Sequence, residues 1–378
     1  MLELLQQSYP EESYWDNNTI ILYLFITALS VLFASLAQLS KKERFQNNLL
    51  KHKPNLFFLS VSFAILFVFS AFRDVGTDLP VYRNIFETVN NSDIPDFGIE
   101  PGFVLINKFL NNIGLSRDAA IAFFSFITLL LIYKAIYRYG YAINWTLSIF
   151  ALSALFYFQS YNLMRMYLAA SIMLYASYYL FELKWRKYLI IWFATIFIHF
   201  STFLLIVPFS LFYLYLRNKQ SFYIGLAVLI IISRLMITAL DAIPMFARYN
   251  SYIEAGLMEN SIGFMQIAIC IPLFLIYLYA KKKLGETIYV KALFVFTCSS
   301  LFLGILSYKI MMIGRALVYY NVIYIILIPI IFKLCTLKRS SYIELIKFAY
   351  MLYISFRFYD YLKTYLYMDG IMPYKSIF

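Results

Sequence analysis

The chain has 378 residues, 62% of them hydrophobic and 14% charged, with a mean hydropathy of +0.72 and a net charge of +12. A soluble domain is near half apolar and a quarter charged, so this composition excludes one water-soluble core and points to lipid as the solvent. The positive charge falls mainly in short loops between apolar runs, where membrane orientation explains it and no nucleic-acid partner is required.

A crossing helix needs roughly 20 apolar residues to span ~30 Å of hydrocarbon. The opening 18 residues are acidic and polar, carry no Lys or Arg, and do not read as a cleavable signal peptide. A first span is predicted over 19–38, followed by Lys41, Lys42, Arg44, Lys51 and Lys53. Such a basic loop belongs inside, which places the N-terminus outside. The second span is predicted over 55–72, and the main external loop over 73–117. Within that loop 102–115 is amphipathic and too short to cross, which predicts an interfacial or re-entrant helix. Further spans are predicted over 118–137, 143–160, 163–182, 222–243, 263–280, 286–306, 316–333 and 343–360.

The stretch 188–216 is apolar for about 29 residues, long for one span and short for two. The lysines at 281–283 belong inside, so 217–221 is inside as well, and 188–216 must start and finish inside. This predicts a helical hairpin turning near His199-Phe200-Ser201. External loops follow at 244–262 and 307–315, and the C-terminal tail is also external. The expected fold is an all-α polytopic membrane protein in one transmembrane domain, with about ten spans plus the hairpin.

Most inner basic residues are explained by topology, but the outer ones are not. Arg73, Arg83, Arg117, Arg165, Arg248, Lys309 and Arg315 lie at or near external ends of spans. Snorkelling or a structural ion pair accounts for any one of them. Several on one side, against the charge rule, point to an anionic substrate, because the guanidinium fork suits diphosphate or carboxylate.

The loop Arg73-Asp74-Val75-Gly76-Thr77-Asp78 places two carboxylates close to an arginine, with Tyr82 one turn later. It can orient a hydroxyl or accept a proton, or one aspartate can simply cap a helix over 79–88. Glu100 opens the short amphipathic helix, where the dipole favours a carboxylate and where it could equally serve as a general base. His199 sits at the expected hairpin turn, as a packing residue or a functional one. With one other histidine, on the opposite side, a His-ligated metal site is not expected. Cys270, Cys298 and Cys335 show no metal spacing, and the chain contains no nucleotide-binding loop, so no cofactor is expected.

The elements FRDVGTDLPVYRNIF (72–86), EPGFVLINKFL (100–110), NLMRMYLAASI (162–172), FIHFSTFLL (197–205), IGRALVYY (313–320) and MPYKS (372–376), in this order and sidedness, resemble the EpsG-like family of bacterial polysaccharide polymerases, the Wzy type. The resemblance implies a metal-independent glycosyltransferase with a GT-C-like helical arrangement at the outer face of the bacterial inner membrane. Its substrates would be oligosaccharide repeat units on undecaprenyl diphosphate within membrane lipid, and a chain-length regulator would be a partner. On that expectation Arg165, Arg315 and Arg73, then Arg248, contact diphosphate or acceptor sugar, and Asp74 and Tyr82 also bind substrate. The base is ranked Asp78, then Glu100, then His199. The rival readings are a flippase or other transporter for lipid-linked oligosaccharide, and an O-antigen ligase. This chain shows no matched halves of the kind expected of a transporter, and its polar residues cluster outside. The ligase shares the diphosphate donor but resembles its own family through a larger external loop.

Overall fold

The computed structural model describes residues 16–40, 42–46, 49–90, 99–239, 262–307, 314 and 316–378. Arg248, Arg315, Lys309 and nearly all of the loops 244–262 and 307–315 lie outside the described residues. The chain forms two compact units, Met1–Phe200 with Tyr342–Phe378, and Ser201–Ser341.

The first unit begins with α1 (Asn17–Leu39), whose N-terminus is capped by the Asp16 carboxylate accepting from the amides of Asn18 and Thr19 at 3.2 and 3.1 Å. An antiparallel ribbon follows, β1 (Lys42–Gln46) against β2 (Leu49–Lys53), within the basic loop expected from the sequence. Then come α2 (Leu56–Ala71), α3 (Leu79–Thr88), α4 (Pro101–Asn112) and α5 (Arg117–Arg138). Beyond them lie α6 (Trp145–Leu152), α7 (Met164–Phe181) and α8 (Trp185–Ile196), and after the second unit α15 (Ile343–Met368). Helix α2 packs between α1 and α5, α7 packs between α5 and α8, and α3 and α4 lie on each other and on α5.

The predicted span 143–160 is not one helix. After α6 the chain runs through a π turn at Ser153–Tyr157 and a 3₁₀ turn at Phe158–Tyr161. The wider turns let Tyr157 donate to the Leu66 carbonyl at 2.6 Å and receive the Tyr161 hydroxyl at 2.7 Å, so the buried hydroxyls are satisfied.

The tail past α15 turns back along the exit of α2. Main-chain hydrogen bonds join Asp74 N to Lys375 O at 2.7 Å, Gly76 N to Gly370 O at 2.8 Å and Thr77 N to Asp369 O at 3.0 Å. Gly76 and Gly370 both have positive φ, 120° and 63°, which side-chain-bearing residues rarely adopt.

The second unit contains α9 (Ile206–Arg217), α10 (Lys219–Ala239), α11 (Ile262–Leu284), α12 (Ile288–Ser307), α13 (Leu317–Asn321) and α14 (Tyr324–Leu337). Helix α12 touches α9, α11, α13 and α14, and α14 is apolar and buried along almost its whole length. Between α8 and α9 the helix is interrupted, with a 3₁₀ segment at Phe200–Leu205, at the place where the sequence predicts the turn.

Among the described residues five helical stretches can cross a membrane by length and composition: Asn17–Leu39, Arg117–Arg138, Phe200–Arg217, Ile288–Ser307 and Leu317–Leu337. Ile21, Phe25 and Leu32 on α1 and Leu345, Phe348 and Phe356 on α15 are exposed, as side chains facing lipid would be. This is a helical membrane protein.

Candidate functional site

Glu100 is the N-cap residue of α4, yet its side chain makes no capping hydrogen bond. Instead the carboxylate turns inward and is 7% exposed. Its Oε2 accepts from Arg165 Nη1 at 2.6 Å, and its Oε1 meets His199 Nδ1 at 2.5 Å and accepts the Phe200 amide at 3.1 Å. These are charge-assisted contacts of the short, strong kind. Burial alone would raise the Glu100 pKa, but the His199 hydrogen bond and the Arg165 charge outweigh it and hold the carboxyl below its usual range. Glu100 is therefore ionised at neutral pH.

Three elements converge to build this cluster. Arg165 lies in the first turn of α7, and its guanidinium stands over the rings of Phe103 and Tyr82 at 5.6 and 5.9 Å. Cation–π contacts of this geometry restrain a guanidinium while leaving its edge available. The Arg165 side chain remains 26% exposed. Tyr82 is buried on α3, and burial pushes its phenol above the usual value against the opposing Arg165 charge. Beneath lies an apolar core in which Leu79, Phe86, Phe103, Leu110, Phe124 and Leu168 join α3, α4, α5 and α7.

His199 reaches Glu100 because the start of α4 docks on the end of α8. The Gly102 amide donates to the Phe197 carbonyl at 2.8 Å. A Cβ at Gly102 would lie 2.6 Å from that carbonyl oxygen, so the approach requires glycine. Gly102→Ala is expected to push the two segments apart, at about 1–3 kcal/mol, and to lower the melting temperature of the detergent-solubilised protein. A variant that melts with wild type would remove this docking from the account.

The other expected site residues are placed elsewhere. Arg73 is 2% exposed and donates to the carbonyls of Ser70 and Tyr161 and to Ser125 Oγ, with the Tyr161 ring 5.0 Å away. That geometry makes it an internal tie between the exit of α2, α5 and the turn before α7. Asp74 pairs with Arg83 at 2.5 Å, and Arg83 also pairs with Asp118 at 2.8 Å. Asp78 occupies the N-cap position of α3 without a side-chain cap, and its amide donates to Asn162 Oδ1 at 2.8 Å.

Phe103, Asn162 and Asp369 were not singled out in the sequence. Asn162 Oδ1 also accepts from Thr77 Oγ1 at 2.7 Å, and Asp369 accepts from Tyr361 at 2.7 Å. Asn162 opens the element that carries Arg165, which was the available signal. Among the described residues no group of three or more His, Cys, Asp or Glu side chains is arranged to hold a metal ion.

The chain is thus a helical membrane protein that holds a buried, ionised carboxylate between an arginine and a histidine. The chain belongs to the EpsG family, whose model matches residues 56–376. That match takes in every described member of the Glu100 cluster. No curated protein and no solved structure matches the chain.

Proposed function

We propose that the protein is a polysaccharide polymerase of the Wzy type, a glycosyltransferase that joins oligosaccharide repeat units carried on undecaprenyl diphosphate. In this reading about ten spans and the 188–216 hairpin cross or enter the bacterial inner membrane, both termini face outward, and the chemistry occurs at the outer face. A chain-length regulator acts beside it, and membrane lipid surrounds it. Family membership supports the reaction class, and the observation that carries the site is the Arg165–Glu100–His199 cluster.

Because ionised Glu100 can only accept, His199 donates through Nδ1, and the other ring nitrogen, Nε2, is the one able to take a proton. The acceptor sugar hydroxyl gives its proton to Nε2 as its oxygen attacks the anomeric carbon of the donor. The carbon–oxygen bond to the lipid diphosphate breaks, and the diphosphate leaves with the electron pair. Arg165, partly exposed beside the dyad, balances the charge that grows on it. This assigns the base to His199 with Glu100 orienting it, and moves Asp78 to the edge of the site.

The test is a surface-polysaccharide gel from a deletion strain complemented with wild type or with Arg165→Ala. Wild type is expected to restore a ladder, and a normally inserted Arg165→Ala protein to leave a single capped repeat unit. Loss of all capped product in the deletion strain would favour a flippase or ligase. An unchanged ladder would end the polymerase reading.

A further inference from the structure

A second polar feature lies outside the Glu100 cluster. The tail and the start of α3 enclose a groove of about 260 Å³, bordered by Asp74, Arg83 and Lys375 and by the apolar edges of Pro80, Met372 and Pro373. Its walls are the two strands of chain joined by the three main-chain hydrogen bonds from Asp74, Gly76 and Thr77, so the cavity is formed before anything enters it. Its volume falls just under the ~300 Å³ at which small-molecule clefts begin, which suits one ring and not a chain of them.

The charges decide what kind of ring. Arg83 is shared between Asp74 and Asp118, at 2.5 and 2.8 Å, and Lys375 makes no ion pair with any described residue. Asp118 pairs in turn with Arg117 at 3.7 Å, and Arg117 with Glu87 at 3.0 Å. With Lys375, three cations and three carboxylates balance across the groove and the ion pairs behind it, which is not the cation excess of a diphosphate or uronate site. It offers acceptor oxygens on Asp74 next to donors on Arg83 and Lys375. A hydroxyl is the group that uses both at once, giving its hydrogen to the carboxylate and accepting from the cation. The proline and methionine edges match the C–H face of a sugar ring.

We propose that this groove is a binding site for a single uncharged pyranose, a hexose or an N-acetylhexosamine, within the acceptor strand. The role as acceptor subsite rests on the transferase reading above, whereas the sugar site itself rests on the groove.

The experiment is saturation-transfer NMR on the purified full-length protein in detergent. The probes are methyl glycosides of glucose, galactose, N-acetylglucosamine and N-acetylgalactosamine, with methyl glucuronide and inorganic diphosphate as charged comparisons. At least one uncharged glycoside is expected to receive saturation, and its apparent affinity to fall fivefold or more in both Asp74→Asn and Lys375→Ala. Lys375 is exposed and its wall contact is through the main chain, so Lys375→Ala leaves the groove standing if Asp74→Asn does not fold.

Absence of transfer to every uncharged glycoside overturns the proposal, as does binding of the charged probes alone, or binding unaffected by Lys375→Ala. The polymerase reading fails separately. Lys375-dependent sugar binding alongside a ladder indifferent to Arg165→Ala would leave the groove and remove the polymerase. A ladder dependent on Arg165 with no sugar binding would do the reverse.

Discussion

Glu100→Gln is expected to lower chain growth by about 10²–10⁴-fold, the range for losing an oriented acid–base group, with the protein still inserted in the membrane. Glutamine keeps the size of the side chain but removes the charge that the Arg165 and His199 contacts require, and its amide can present either an oxygen or an NH₂ to the ring. The fixed tautomer of His199 is then lost. His199→Ala removes the proposed base itself and is expected to fall to the same level. If the two groups act as one unit, the double variant is no worse than either single one. The measurement is the rate of polymer formation from lipid-linked repeat units by purified protein. Full activity in Glu100→Gln would return the base to Asp78, which stands at the N-cap of α3. Additive losses in the double variant would separate the two residues.

Arg73→Ala is expected to act on folding. The substitution empties the space of a 2% exposed side chain and leaves the Ser70 and Tyr161 carbonyls and the Ser125 hydroxyl without their donor. Among the described residues Arg73 has no carboxylate partner, so carbonyl oxygens and the Tyr161 ring hold its charge. Breaking a buried charged network of this kind costs about 3–5 kcal/mol, a large part of the stability of most domains. The expected readout is a fall in membrane-inserted protein and in melting temperature, with little rescue by Arg73→Lys, whose single ammonium cannot reproduce the fork. An Arg73→Ala protein that accumulates and melts like wild type while making no polymer would reverse this assignment and make Arg73 a substrate contact.

These two arginines mark where sequence and structure part. Both follow an apolar run on the expected outer side, and the sequence offers no means of ranking one above the other. The fold encloses one completely and leaves the other a quarter exposed beside an ionised carboxylate. Asp78 and Glu100 differ in the same way. Two aspartates near an arginine look like a site in one dimension, whereas Glu100 lies 65 residues from Arg165 and 99 from His199 and shows no local sign of either partner. The break in the predicted span 143–160 was also hidden, because π and 3₁₀ turns preserve the apolar composition by which spans are read.

The sequence by itself determined the solvent of this protein, its helical class, the short amphipathic α4 and the break near His199, because each is a property of contiguous residues. Apolar content, run length and charge between runs act locally, and the membrane imposes a fixed length on what they build. It also carried the ordered elements on which the resemblance to the family rests. Only the tertiary structure decided which carboxylate is buried and ionised, which arginine is a tie and which stays exposed at the site. It alone placed the tail beside α3 to enclose a groove. Ionisation and burial depend on which distant segments meet, and here that meeting is set by the packing of α3, α4, α5 and α7 and by the close approach of Gly102 to Phe197.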